Sequence, residues 1–198
     1  GREAVTIRSI AEAIEYSPRT IYLHFKDKED LLGQLCTEDF QAFGATLAQH
    51  LHVTDPIERI TLLGQAYAAF AFTHPHHYIH MFMNPPAVAP DEDMLASAGD
   101  PEADAYALLR SSVQEALDQG LFKPEFQDAE LITQILWSGS HGVVSLHLTR
   151  TGEGYVPWRP IEERVATMGR AVLTGLLKQP PADVPEPKKP QAPKRKKA

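Results

Sequence analysis

The 198-residue chain reads as all-α, and three observations carry that reading. Apolar residues recur at three- and four-residue intervals along most of its length. Helix-start chemistry recurs too, at Thr6, Ser17-Pro18, Asp27, Asp55-Pro56, Asp100-Pro101 and Asp128. No segment alternates apolar and polar residues in the manner of a half-buried strand, and no internal repeat is evident. The expected organisation is a small helix-turn-helix domain over 1–32, a helical bundle over 33–178 and a disordered tail over 179–198.

The first helix has Thr6 as its N-cap, and Ile7, Ile10, Ala11 and Ile14 fall at i, i+3, i+4 and i+7, the spacing that buries one face. Ser17 and Pro18 restart a helix, since a cap hydroxyl followed by proline at the first position sacrifices no hydrogen bond. Ile21 and Phe25 anchor that helix inward, leaving Arg19, Thr20, Tyr22 and His24 on the other faces. The pair forms a helix-turn-helix whose second helix, expected to run to Phe25, can lie in the major groove of DNA.

Asp27 caps a long helix from Lys28 to about Leu51, with Leu31, Leu35, Phe40, Phe43 and Leu47 on its apolar side. The next helix, from Asp55-Pro56, keeps the period through Ile60, Leu63, Tyr67, Phe70 and Ala71 and ends at His74-Pro75. A short aromatic helix over His76–Met83 follows. Residues 84–101, rich in Pro, Ala and Asp, read as a loop. Further helices are expected from Asp100-Pro101 to Gly120, from Asp128 to about Leu148, and from Pro160 to Leu177.

Composition narrows the function classes. No run of 18 apolar residues and no signal-like N-terminus occur, so neither membrane insertion nor secretion is expected and the chain reads as cytoplasmic. The single Cys36 excludes an intramolecular disulfide. Residues 1–32 hold five Lys/Arg against six acids, so the reading head is near neutral within a chain of net charge −7. The tail, with six basic residues against Asp183 and Glu186, carries +4. It reads as a solubilising segment or a DNA-tethering arm.

Residues 6–32 resemble the helix-turn-helix of TetR-family transcriptional regulators. Thr6, Ile10, Ala11, Ser17, Thr20, Tyr22, Phe25, Lys28 and Leu31 fall on the family's signature in one gap-free register. The turn departs from it, with Glu15-Tyr16 where relatives carry Gly-Val. The glycine implies a left-handed backbone, which a glutamate adopts at a cost of about 1–2 kcal/mol. The resemblance also implies a helix before Thr6, and the chain begins only five residues earlier, so that first helix is expected to be missing. By this resemblance the DNA-binding set is Thr6, Arg8, Ser17, Pro18, Arg19, Thr20, Tyr22, His24 and Lys28. Arg19, Thr20, Tyr22 and His24 face base edges and phosphates, while Arg8, Ser17 and Lys28 fix position on the backbone.

Residues 131–148, LITQILWSGSHGVVSLHL, are apolar on nearly all sides, which demands burial on more than one side. Trp137, His141, Val144 and Leu148 trace one face. Gly139 and Gly142 each lower helix propensity by about 0.8–1.0 kcal/mol relative to alanine, and small residues there allow close approach of another helix. Helices 128–148 and 160–178 are therefore expected to form a two-fold homodimer face, with packing inside the monomer as the alternative. Trp137, His141 and Gly142 resemble the Trp-x-x-x-His-Gly signature of one subclass of TetR-like C-terminal domains, and His74, Pro75, Met81 and Phe82 its His-Pro…Met-Phe element. The family implies a cavity for a small hydrophobic effector, with Tyr67, Phe70, His74, Tyr78, Met81, Phe82, Trp137 and His141 as candidate lining residues. The partners implied are a double-stranded operator, the effector and a second copy of the chain.

His74, His76, His77 and His80 crowd seven residues and raise a rival, a metal-responsive regulator or metal enzyme. The cluster has no H-E-x-x-H pattern, second cysteine or carboxylate of its own, so no metal ligand is assigned. No nucleophile elbow, P-loop or dinucleotide fingerprint occurs, so no catalytic residue and no cofactor is expected. A helical dimeric interaction module without operator binding is the remaining alternative.

Overall fold

The computed structural model describes residues 5–84 and 98–181. Among these, eight helices run in order: α1 (Ile7–Ala13), α2 (Pro18–Ile21), α3 (Lys28–Ala48), α4 (Pro56–Thr73), α5 (Pro75–Phe82), α6 (Ala105–Asp118), α7 (Ala129–Arg150) and α8 (Ile161–Leu176). The loop expected over 84–101 falls mostly outside the described residues, as does the tail beyond 181. The chain packs as two compact units, Gly1–His52 with Phe70–Leu108, and Val53–Ala69 with Leu109–Ala198.

In the first unit, Thr6 and Ser9 close a reciprocal capping box on α1, each side chain accepting from the other's backbone N–H at 3.1 and 3.0 Å. Ile7, Ala11 and Ile21 form a small core, with Ile10, Phe25 and Leu31 packed against it. Ile14 does not join them and is 52% exposed, because α1 stops at Ala13 and the chain has already turned at Ile14. Glu15 keeps the left-handed backbone, with φ 59°. Around it Tyr16 N–H donates to Ala11 at 2.8 Å and Glu15 N–H to Glu12 at 3.3 Å, the two bonds of a Schellman close. Gly120 closes α6 with the same pair of bonds, from Leu121 to Ala116 and from Gly120 to Leu117, at φ 68°. One motif is thus built once with the residue it favours and once with a strained one.

The second helix is shorter than the expected Pro18–Phe25 rod. Only Pro18–Ile21 is α-helical, after which Leu23 and His24 donate three residues back, to Thr20 and Ile21. Phe25 still bonds Ile21 at 3.0 Å, so the coil tightens before it ends. Asp27 then caps α3 by accepting from Asp30 N–H at 2.8 Å. Leu35, expected on the apolar side of α3, is exposed; the buried positions are Thr37, Asp39, Phe43, Gly44 and Leu47. Phe40 and Phe43 of α3 meet Phe82 of α5 edge-on at 5.4 and 5.7 Å, and Phe43 lies 5.0 Å from Phe70. Asp100-Pro101 makes a turn rather than a helix start: Asp104 supplies the cap, accepting from Tyr106 N–H at 2.8 Å.

In the second unit, Ile60, Val113, Ala116, Phe122, Ala129, Ile132, Leu136, Leu173, Leu176 and Leu177 form one apolar core. Buried Arg59 is satisfied on all sides, donating to Ser112 Oγ and the Val53 carbonyl at 2.8 Å and pairing with Glu115. A buried guanidinium needs such partners, because an unpaired buried charge costs several kcal/mol. Asp128 caps α7 through the N–H groups of Glu130 and Leu131. A Cβ on Gly139 would sit 2.6 Å from Met168 Sδ, so this glycine lets α8 press against α7 within the chain. At Gly142 nothing lies within 4 Å. Lys123 closes α8, its Nζ donating to the Gly175 carbonyl at 2.6 Å.

Candidate nucleic-acid interface and effector-site residues

The candidate nucleic-acid interface lies in the first unit. Ser17 accepts from Thr20 N–H at 3.2 Å, and the two hydroxyls are 2.9 Å apart, so the Ser17–Thr20 pair sets the start of α2. Thr20 is half-buried, its hydroxyl engaged in that pair. Arg8, Pro18, Arg19, Tyr22 and His24 are exposed, and Thr6 is exposed with its side chain in the α1 cap. Ile21 points inward and is 5% exposed. Positions 19 and 23, on either side of it in this turn, are both exposed and project away from the domain core.

Electrostatics of this face depend on where the acids are held. Asp30 accepts from Lys26 N–H at 2.8 Å and from Gln34 at 3.0 Å. These two bonds, the backbone one first, hold its carboxyl below the usual range. Asp27 is the α3 cap and Glu29 pairs with Lys28 at 3.9 Å. Three of the acids are thus engaged around the start of α3, while Arg8 and Arg19 stand exposed on α1 and α2.

Two groups hold the candidate effector residues. In the first unit, Phe70, Tyr78 and Met81 are buried and Phe82 half-buried, with Tyr78 5.0 Å from Phe82 and Phe70 5.1 Å from His74, itself exposed. In the second unit, Trp137 Nε1–H donates to Tyr67 Oη at 3.3 Å, and Tyr67 Oη lies 3.1 Å from His141 Nδ1. Indole N–H can only donate, so the chain is satisfied when the Tyr67 hydroxyl in turn donates a hydrogen bond to Nδ1 of a neutral imidazole. Burial pushes the His141 pKa down, which favours that neutral form. Trp137 is 39% exposed, so its ring is only partly committed to the subunit interior.

Sequence reasoning missed two residues. Leu23, on the outward side of the α2 turn, is 75% exposed; an apolar residue carries no local signal that it faces outward. Asp39, buried on α3, receives His77 Nδ1 at 2.6 Å and has His80 Nδ1 at 3.7 Å from its second oxygen. The histidine cluster thus has a carboxylate partner 38 residues away, which no local pattern could reveal. Among the described residues no group of three His, Cys, Asp or Glu side chains is arranged to hold a metal ion, nor is any helix long and apolar enough to cross a membrane.

Comparison with known proteins follows this architecture. Residues 1–35 match the family described as bacterial regulatory proteins, tetR family. Residues 60–168 match the tetracyclin repressor-like C-terminal domain. Among solved structures, the chain resembles the TetR family transcriptional regulator PfmR from Thermus thermophilus, at 22% identity over 87% of this chain and 90% of that one, TM-score 0.66. It also resembles the fatty acid degradation regulator FadR from Bacillus halodurans, at 20% identity over 87% of this chain and 86% of that one, TM-score 0.66. A third is the ketosteroid transcriptional regulator KstR2 of Mycobacterium tuberculosis, at 20% identity over 90% and 88%, TM-score 0.62. No curated protein matches the chain. These likenesses establish a shared fold, and the two family matches, the second spanning more than half of the residues, establish kinship: the chain belongs to the TetR family of bacterial regulatory proteins, whose members are DNA-binding transcription regulators.

Proposed function

We propose that the chain is a cytoplasmic homodimeric repressor, released from a palindromic operator by a small hydrophobic effector. Residues 1–32 serve as the reading head and 33–178 as the effector and dimerisation domain. The observation that carries this reading is the outward array of Arg19, Tyr22 and His24 on a turn whose inner side is locked by Ile21. Arg8, Ser17 and Lys28 fix position on phosphates, Thr6 and Pro18 hold the two helix starts, and Thr20 supports the base-facing set through Ser17.

Dimerisation through residues 128–148 and 160–178 is supported by the α7 side chains that the subunit leaves uncovered. Leu131 is 51% exposed and Leu146 48%, on a helix whose other face is core. An exposed apolar stripe beside an open Gly142 suits close packing with its two-fold mate.

Effector binding engages Tyr67, Phe70, His74, Tyr78, Met81, Phe82, Trp137 and His141, in a C-terminal domain of the Trp-His-Gly kind. Apolar rings with few polar tips favour a hydrophobic ligand, and structural relatives named as regulators of fatty acid degradation and as ketosteroid regulators agree with that class. Coupling runs from α5 to α3 through the Asp39–His77 hydrogen bond and the contacts of Phe40 and Phe43 with Phe82. Because α3 continues directly from the reading head, a shift of α5 moves that head. Linkage then requires DNA to weaken effector binding by the same factor.

The test is release of a labelled duplex, followed by fluorescence anisotropy. The duplex is the site enriched from random DNA, titrated with a long-chain fatty acyl compound and separately with a ketosteroid. One class should release it in a saturable manner, and the Trp137 emission should change over the same range in a Trp158→Phe background. Release that leaves Trp137 emission unmoved would contradict the assigned pocket.

A further inference from the structure

We propose that Leu23 reads a base: its side chain contacts the 5-methyl group of a thymine beside the base pair addressed by Arg19. This rests on the DNA-reading role proposed for residues 17–28. The helical turn is kept through Leu23 by bonds from Tyr22 to Pro18 at 3.1 Å and from Leu23 to Thr20 at 3.2 Å. At about 100° per residue before Ile21 and about 120° in the tighter turn after it, residues two before and two after this buried side chain lie roughly 120–160° from the inward direction. Arg19 and Leu23 are both exposed and therefore project away from the domain core on the same side of the turn.

No other large aliphatic side chain among the described residues is as exposed as Leu23, at 75%. The small core of Ile7, Ala11 and Ile21 is complete without it. Thr20, by contrast, has its hydroxyl turned to Ser17. A leucine offers no hydrogen bond, so it discriminates only by apolar contact, and thymine alone of the four bases presents a methyl group in the major groove. An arginine in the same face suits the O6 and N7 of guanine. Side chains four apart on a helix are about 5–6 Å apart, and base pairs rise about 3.4 Å. The thymine thus lies one or two steps from the guanine.

The experiment starts with the half-site enriched from a random duplex pool by the intact chain. Each thymine is replaced in turn by deoxyuridine, which lacks only the methyl, and Kd is measured at one fixed salt for the parent and for Leu23→Ala. One thymine, one or two steps from the position relaxed by Arg19→Ala, should lose about fourfold on demethylation, the worth of one buried methyl-sized group. For Leu23→Ala the same replacement should be neutral, while its circular dichroism and Tm match the parent. Methyl-insensitivity at every thymine would overturn the assignment. So would sensitivity retained in Leu23→Ala, or an equal loss of affinity on all sequences. A pool with no enriched sequence would instead refute the DNA-reading role, and the inference with it.

Discussion

Replacing Glu15 by glycine should stabilise the protein, and the structure sets the size. Glu15 holds φ 59° to complete the Schellman close of α1, and its side chain is exposed. A left-handed backbone disfavours an L residue by roughly 1–2 kcal/mol. Glycine removes that strain but adds backbone freedom to the unfolded chain, which offsets roughly 0.5–1 kcal/mol. The expected net gain is about 0.5–1 kcal/mol, which for a chain of this size raises Tm by about 1–4 °C. Glu15→Ala is the control: it keeps the Cβ, so it should gain nothing. Urea and thermal unfolding of parent, Glu15→Gly and Glu15→Ala, at one protein concentration, measure both effects. A glycine variant no more stable than the alanine variant would refute the claim that this turn is strained.

Other outcomes follow from the same geometry. Arg19→Ala should weaken operator binding by about 1–3 kcal/mol and relax one position, read by competition with single-base operator variants; a uniform loss would move Arg19 to a phosphate. Asp39→Ala removes the acceptor for His77 and should lower stability by about 1–3 kcal/mol in urea unfolding; it should also blunt effector-driven release from DNA. Gly142→Ala meets nothing within its own subunit, so helix propensity favours it by about 0.8–1.0 kcal/mol. Yet it should loosen the dimer in sedimentation equilibrium if a partner helix rests there. Burial holds the His141 pKa below its ordinary 6.5. The unfolded chain therefore binds the proton more readily, and this contribution to stability is present above about pH 6.5 and lost as pH falls below it. Tm measured from pH 8 to 5 should decline less steeply in His141→Gln.

Much of the fold was legible because local chemistry specified it. Thr6, Ser17, Asp27, Asp55 and Asp128 each cap the helix that their side chains promised. Local chemistry also misled where two signals competed. Asp100-Pro101 carries helix-start residues, but Asp104 lies closer to the apolar run and takes the cap. Ile14 fits the helical period yet falls beyond the helix end, where period no longer predicts direction. Leu23 is apolar yet stands 75% exposed outside the core of Ile7, Ala11 and Ile21, because apolar character alone does not set direction in a short turn. Asp39 and His77 meet across 38 positions, a pairing set by α3 lying on α5 rather than by either segment. The same holds for Tyr67, Trp137 and His141, whose closeness follows from helix packing.

The proposed reading head is α2 with the turn that follows it, Pro18 to His24, presented to DNA in two-fold pairs. Selection from a random duplex pool by the purified chain, followed by sequencing, tests it most directly. The expected product is a palindrome whose half-sites lie about 34–36 Å apart or a multiple of it, bound by two chains and weakened by Arg19→Ala. An enriched site without two-fold symmetry, bound by a single chain, would contradict the account, as would enrichment indifferent to Arg19.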